Sequence, residues 1–196
     1  MEYKIIRKPD IKTTQWAGGT TSELYIYPES ALYAQRNFDF RLSTATVDVW
    51  ESEFTPLPGI SRTLMIMDGV MILKHEEQKE LLLKKFDQSN FEGGWKTLSQ
   101  GKCVDFNLMC SKPYDSELLA FKADYENQIK VDLFANQIYA LYNYQGFTSF
   151  LINGEEIDLM EGDCCVLLPE TDQELAIRSI TDVEFVLVRV NLKDYQ

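Results

Sequence analysis

The sequence predicts an all-β protein built from two similar modules, and three observations predict it. Its apolar segments are short and closely spaced, and glycine, aspartate and asparagine punctuate them. Few stretches carry a 3.6-residue period. One pattern of apolar strand, Asx-Gly turn and returning strand occurs in both halves, as RTLMIMDGVMIL and as TSFLINGEEIDL. Each copy would belong to one β-barrel module.

Taken in order, the candidate strands of the first half are residues 22–28, 38–47, 62–69, 70–75 and 103–110. Those of the second half are residues 116–124, 137–145, 148–154, 155–160, 164–169 and 184–190. Asp68-Gly69 and Asn153-Gly154 are the sharpest hairpin signals, because each follows one apolar run and precedes another. Pro113 in SKPYDS interrupts the strand signals, so the expected division is residues 1–112 and residues 113–196. No flexible Gly/Ser-rich linker separates the halves, which are therefore expected to pack closely.

At 196 residues and 45% hydrophobic content the chain can bury a substantial core. Its net charge of −12 argues against nucleic acid and anionic membranes as partners, since an acidic surface repels phosphate. No run of 18 apolar residues exists, and MEYKIIRKPD lacks the apolar centre of a signal peptide, so a cytoplasmic location is expected. Cys103, Cys110, Cys164 and Cys165 lack zinc-site spacing and read as buried free thiols. The single histidine, His75 in KHEEQK, reads as a solvated loop residue and cannot build a multi-histidine metal centre.

The chemistry-bearing residues follow from strand alternation. In FDFRLSTATV the two-residue period puts Arg41 and Ser43 on one face with Ala45 and Val47. In CVDFNLMC it puts Asp105 and Asn107 with Met109, opposite Val104, Phe106 and Leu108. Such a polar face lines either solvent or a cavity. Gly18-Gly19 precedes Thr21 and Glu23 and suits either a plain turn or a close approach of backbone to ligand. Trp95 in FEGGW suits a loop anchor or a pocket wall.

LMEGDCCVLLPETDQEL, an apolar approach, a Gly-Asp turn, an apolar strand and a Pro-led turn, resembles the second signature of the cupin superfamily. Gly162 and Pro169 stand one residue further apart than is usual, and Glu174 falls where the cupin histidine would stand. The first signature spaces two histidines, a glutamate and a hairpin glycine. Counting back from Gly69 puts Arg62 at the glutamate and residues 55–58, which include no histidine, at the histidines. The same count from Gly154 lands on Phe147. Neither module can then make the cupin metal centre, and no metal or other cofactor is expected. A guanidinium in place of a carboxylate favours an anion, although an ion pair with one of the 31 acidic residues would also account for it.

Four motifs add a closer resemblance: W-x-GG-x-T-x-E at residues 16–23, F-x-x-R-x-S-x-A at 38–45, F-x-x-L-P-G-x-x-R at 54–62, and D-F-N-x-M at 105–109. Together they resemble the HutD/Ves family. That resemblance implies a bicupin, two RmlC-like jelly-roll β-barrel modules packed together. It also implies binding of a small acidic metabolite of histidine utilisation, with formylglutamate a candidate, in a regulatory or sensing role. Carried onto this chain, the ligand-binding positions are Arg62, Arg41, Ser43, Asn107, Asp105, Thr21 and Glu23. The chain departs from many relatives in having Ser22 where they carry a basic residue, and in a shorter Trp-to-Gly spacing.

Two other functions stay open. A metal-free isomerase or lyase would use Asp105 and Glu23 as its acid and base. A protein-contact role would need an exposed aromatic patch, for which Tyr139, Tyr142 and Tyr144 are candidates. A homodimer is compatible with every reading.

Overall fold

The structure is a computed structural model and describes residues 1–192 apart from residues 77, 79, 112 and 126. It is predominantly β: among the described residues the helical segments are the two short 3-10 turns Lys8–Asp10 and Tyr33–Gln35. None is long and apolar enough to cross a membrane. The strands in chain order begin with β1 (Glu2–Ile6), β2 (Lys12–Trp16), β3 (Gly19–Tyr27), β4 (Phe40–Val47), β5 (Glu51–Glu53) and β6 (Ser61–His75). Then come β7 (Leu81–Lys84), β8 (Gln88–Glu92), β9 (Thr97–Gln100), β10 (Cys103–Cys110), β11 (Ser116–Ala123) and β12 (Gln128–Leu133). The last are β13 (Gln137–Gln145), β14 (Thr148–Ile152), β15 (Glu155–Leu159), β16 (Cys164–Leu168), β17 (Gln173–Ser179) and β18 (Val183–Asn191).

The chain divides into two compact units, one of Ile11–Pro113 and one of Met1–Asp10 with Tyr114–Gln196. Residues 1–10 thus depart from the expected division, which placed them with the first half. Their strand β1 pairs along its whole length with β16, Glu2 opposite Leu168 through Ile6 opposite Cys164.

The unit of Ile11–Pro113 is one antiparallel sheet in the order β2-β3-β4-β10-β6-β9-β5, with β7 and β8 also paired to β6. What curls it is β6. Its first half pairs with β10 and β8, whereas Val70 to His75 pairs with β7 and β9. The hairpin expected at Asp68-Gly69 is therefore absent, and the strand continues through it. Opposite Val104-Asp105 of β10 stand Asp68 and Ile66, leaving one extra residue, Met67, as a β-bulge that bends the strand. Gly69 has φ +78, and a Cβ there would press on the carbonyl oxygen of Lys102. Only glycine meets both demands. Inside the curl, Val47, Leu64, Ile66, Met71, Leu73, Phe91 and Cys103 form an apolar cluster.

The unit of Met1–Asp10 and Tyr114–Gln196 holds two antiparallel sheets, β1-β16-β13-β18-β11 and β12-β17-β14-β15. They share one core, in which Tyr139, Leu141, Cys165, Leu167 and Phe185 from the first meet Phe150, Ile152, Leu159 and Ile177 from the second. Here the Asn153-Gly154 signal is a hairpin in fact, joining β14 to β15, with φ +52 and +85 at its two residues as a type I′ turn requires. The two strand–turn–strand repeats therefore fold differently. Tyr139 is buried in the shared core, and its hydroxyl donates to Gln137 Oε1 at 2.6 Å, so it supplies no exposed patch. All four cysteines are free and buried.

Candidate functional site

Three neighbouring strands set the site. In the order β4-β10-β6 the register places Arg41, Met109 and Arg62 in one cross-strand row, and Ser43, Asn107 and Leu64 in the next. Ala45, Asp105 and Ile66 form the third row, and on the far side of β4, Thr21 and Glu23 of β3 stand opposite Ala45 and Ser43. Residues opposite one another across antiparallel strands point to the same face. The alternation read from FDFRLSTATV and CVDFNLMC is thus continuous across the sheet. The apolar end of this face closes into the core cluster, and the polar end opens into a cavity of about 340 Å³.

Arg41, Ser43, Arg62, Asp105, Asn107 and Thr21 all line that cavity. Glu23 does not line it but reaches Arg41, whose Nε donates to Glu23 Oε2 at 2.7 Å. Arg41 Nη1 donates to Ser43 Oγ at 3.1 Å, and its guanidinium lies 4.2 Å from the centre of the Tyr33 ring. Arg41 is a held residue.

Arg62 differs. It is 7% exposed, with its guanidinium carbon 4.7 Å from the Phe54 ring centre and 5.1 Å from that of Phe91. Its Nε is buried and has no hydrogen-bond partner among the described residues, and neither has Asn107 Oδ1. Burial lowers the Arg62 pKa to about 10 against the pull of the Asp105 charge. Asp105, 4% exposed, is pushed up to about 7 by burial, with the Arg62 charge holding it lower than burial alone would. The site therefore combines one committed cation, one uncommitted cation, a carboxyl poised near neutrality and an amide oxygen lacking a donor.

Phe54, Tyr33, Trp16 and Leu57 also stand in the wall. Phe54 and Trp16 stand in the quoted motifs, but Tyr33 lies in the 3-10 turn of LYAQRN, where no periodic signal marks it. Trp16 also covers the β2–β3 turn, since its ring occupies the space a Cβ on Gly18 would need. The paired glycines are a turn under a tryptophan. Trp95 is no part of the cavity; its ring stands edge-on to His75 at 5.4 Å.

His75 corrects the sequence expectation. It ends β6 at 3% exposure, its Nδ1 lies 2.9 Å from Thr97 Oγ1, and its ring sits 4.6 Å from that of Phe91. Burial lowers its pKa, and the Arg62 charge lowers it further. Glu174, at the cupin histidine's place, is spent on Lys130 Nζ at 2.7 Å.

The donor set does not fit a divalent cation. The cavity presents two guanidiniums, the one histidine is engaged by Thr97, and no group of three His, Cys, Asp or Glu among the described residues could hold a metal.

The comparisons with known proteins agree with this architecture. No curated protein matches the sequence. The fold resembles the crystal structure of PA5104, a conserved protein of unknown function from Pseudomonas aeruginosa PAO1, with 20% identity, TM-score 0.84, and coverage of 97% of this chain and 100% of that one. It resembles HutD from Pseudomonas fluorescens SBW25, with 18% identity, TM-score 0.73, and coverage of 97% and 100%. It also resembles the bacterial pirin YhhW of Escherichia coli in complex with nickel(II), at 8% identity, TM-score 0.77, and coverage of 97% and 99%. The HutD family model matches residues 8–184, nearly the whole chain and every residue that lines the cavity, and the chain belongs to the HutD family.

Proposed function

We propose that this protein is a bicupin of two jelly-roll modules whose N-terminal cavity binds a small carboxylate, in a regulatory or sensing role and without a metal. The observation that carries the reading is Arg62, a buried guanidinium with an unpartnered Nε at an open cavity. A buried donor without an acceptor costs about 1–3 kcal/mol, which a ligand oxygen would offset. Asn107 Oδ1 is the matching vacancy for a ligand N–H or O–H. Membership of the HutD family makes formylglutamate, or a related acid of histidine degradation, the first candidate. The Pseudomonas fluorescens relative was determined in a formate condition, and formate is the smallest carboxylate.

Thermal unfolding tests this directly. A ligand at a hundred times its Kd stabilises by about 2.7 kcal/mol, so millimolar N-formyl-L-glutamate is expected to raise Tm by roughly 5–10 °C. No shift with any small carboxylate at that concentration would overturn the reading.

One observation favours an enzyme instead. A carboxyl with a pKa near 7 is suited to moving protons at neutral pH, and Asp105 is such a group. Its expected companion Glu23 is tied to Arg41, so Asp105 would work as the single acid or base. Turnover of a carboxylate substrate, lost in Asp105→Asn with the fold intact, would establish this reading, and an unchanged rate in that variant would dismiss it.

A further inference from the structure

This inference rests on the carboxylate-binding reading and concerns how that binding is regulated. Asp105 and Arg62 line the same cavity, and Arg62 is the one cation of its wall not already held by a carboxylate in an ion pair among the described residues. A ligand carboxylate brought to Arg62 therefore meets a second, buried carboxyl competing for the same guanidinium. Two carboxylates cannot both stay ionised beside one buried cation without a large repulsion, and the common resolution is a retained proton.

We propose that the cavity takes up its anion together with a proton held on Asp105. In the bound state a neutral Asp105 carboxyl stands beside the ligand carboxylate, and Arg62 serves the ligand alone. In the unliganded protein above neutral pH, Asp105 is the anion that Arg62 faces. The internal carboxylate is then a built-in competitor, and rising pH releases the ligand.

The surrounding charges leave this exchange to Asp105. Arg41 on β4 is neutralised by Glu23 of β3, and Glu53 of β5 lies at the exposed rim of the cavity. Tyr33 stacks on Arg41 from the 3-10 turn. Cys103, two residues along β10, is pushed up to about 12, chiefly by burial, and stays neutral through the physiological range. Arg62 itself loses its proton only near pH 10. His75, behind Phe91, has its pKa lowered, so it is uncharged above pH 7.

Isothermal titration calorimetry provides the test, with N-formyl-L-glutamate and phenylacetate as probes, whose carboxyls stay ionised from pH 6 upward. Measurement at pH 8 in triethanolamine and in Tris, amine buffers of different ionisation heat, counts the protons taken up. The expected result is close to one proton per carboxylate bound, with an apparent Kd rising about tenfold per pH unit above 7. In Asp105→Asn, checked for folding by thermal unfolding, the expected result is no proton uptake and a flat pH profile. Binding without proton uptake, or an undiminished pH slope in Asp105→Asn, overturns the proposal and leaves carboxylate binding standing. No binding of either probe at pH 6 or pH 8 overturns the carboxylate reading, and this proposal with it.

Discussion

Arg62→Met is expected to weaken carboxylate binding by roughly 30- to 5000-fold, the equivalent of about 2–5 kcal/mol for a buried charged contact, while leaving stability at pH 6 unchanged or raised. The two halves of that expectation have separate causes. The guanidinium is lodged between Phe54 and Phe91 at 4.7 and 5.1 Å, contacts worth about 0.5–2 kcal/mol, and a methionine thioether keeps apolar contact with both rings. Against those contacts stand the burial that pulls the Arg62 pKa down to about 10 and an Nε left without an acceptor. Keeping a guanidinium charged where burial depresses its pKa costs folding stability, on the order of a few kcal/mol, so a neutral replacement removes a penalty. At pH 6 Asp105 is mainly protonated and loses little with its cation. Urea unfolding of both proteins with matched titrations measures both halves. A stability loss of about 3–5 kcal/mol would show instead that Arg62 is a structural ion-pair partner, because that is the cost of breaking a buried pair. Arg62→Lys separates charge from shape: it keeps the cation, lacks the planar fork, and is expected to bind at an intermediate affinity.

How much of the fold was legible in the sequence depended on how each strand is buried. The strands β10 and β13 were read to the residue, since each is a long run of apolar and alternating positions held between neighbours on both sides. The strands β2, β7, β9 and β12 carry little mark in sequence: β2 and β12 are short and at least half polar, the three leucines of β7 sit in a run too brief to show a period, and the buried positions of β9 are the polar Thr97 and Ser99. The strand β1 is hidden for a different reason: its partner lies some 160 positions away in sequence, and nothing local announces that pairing. Asp68-Gly69 shows the limit most clearly. A positive φ after an apolar run serves a type I′ hairpin and a bulged, continuing strand equally well, and the difference lies in which distant strands supply the hydrogen bonds. At Asn153-Gly154 the same local signal gave the hairpin.

On β4 and β10 the cavity wall is legible through period two. Once Arg41 and Ser43 share a face of β4, and Asp105 and Asn107 share one of β10, the antiparallel register needs only to align them. Arg62 entered by counting from Gly69, which marks a bend of β6 and still fixes its distance along the strand. What sequence could not distribute was charge. Arg41 and Arg62 read as two equivalent anion contacts, whereas Glu23 and Ser43 hold the first and leave the second free. His75 read as solvated from its charged neighbours, yet strand alternation turns it inward to Phe91 and Thr97.

The pH dependence of stability is expected to differ between the wild type and Asp105→Asn by about 3 kcal/mol between pH 5 and pH 8, with the wild type losing ground as the pH rises. The sign follows from which state holds the proton. An unfolded aspartate titrates near 3.8 and the folded Asp105 near 7, so between those values the folded chain binds the extra proton. Stability from this group is fully present below about pH 4, declines through the interval and is gone above about pH 7, where a bare carboxylate must be kept in the cavity wall beside Arg62. Asparagine cannot ionise and carries no such slope. The comparison must be made as a difference, because His75, whose depressed pKa makes the folded state less stable as pH falls, titrates in the same window and cancels only between the two proteins. Chemical denaturation at pH 5, 6, 7 and 8 measures it, and parallel profiles would show that Asp105 ionises as an ordinary aspartate does. A pair that diverges as the pH rises has a mechanistic consequence. Above pH 7 a ligand must draw a proton from solution onto Asp105 before Arg62 can serve it alone. The same buried carboxyl that weakens the empty protein in alkali then also weakens its hold on the ligand, so the stabilisation a carboxylate confers is expected to shrink as the pH rises above 7.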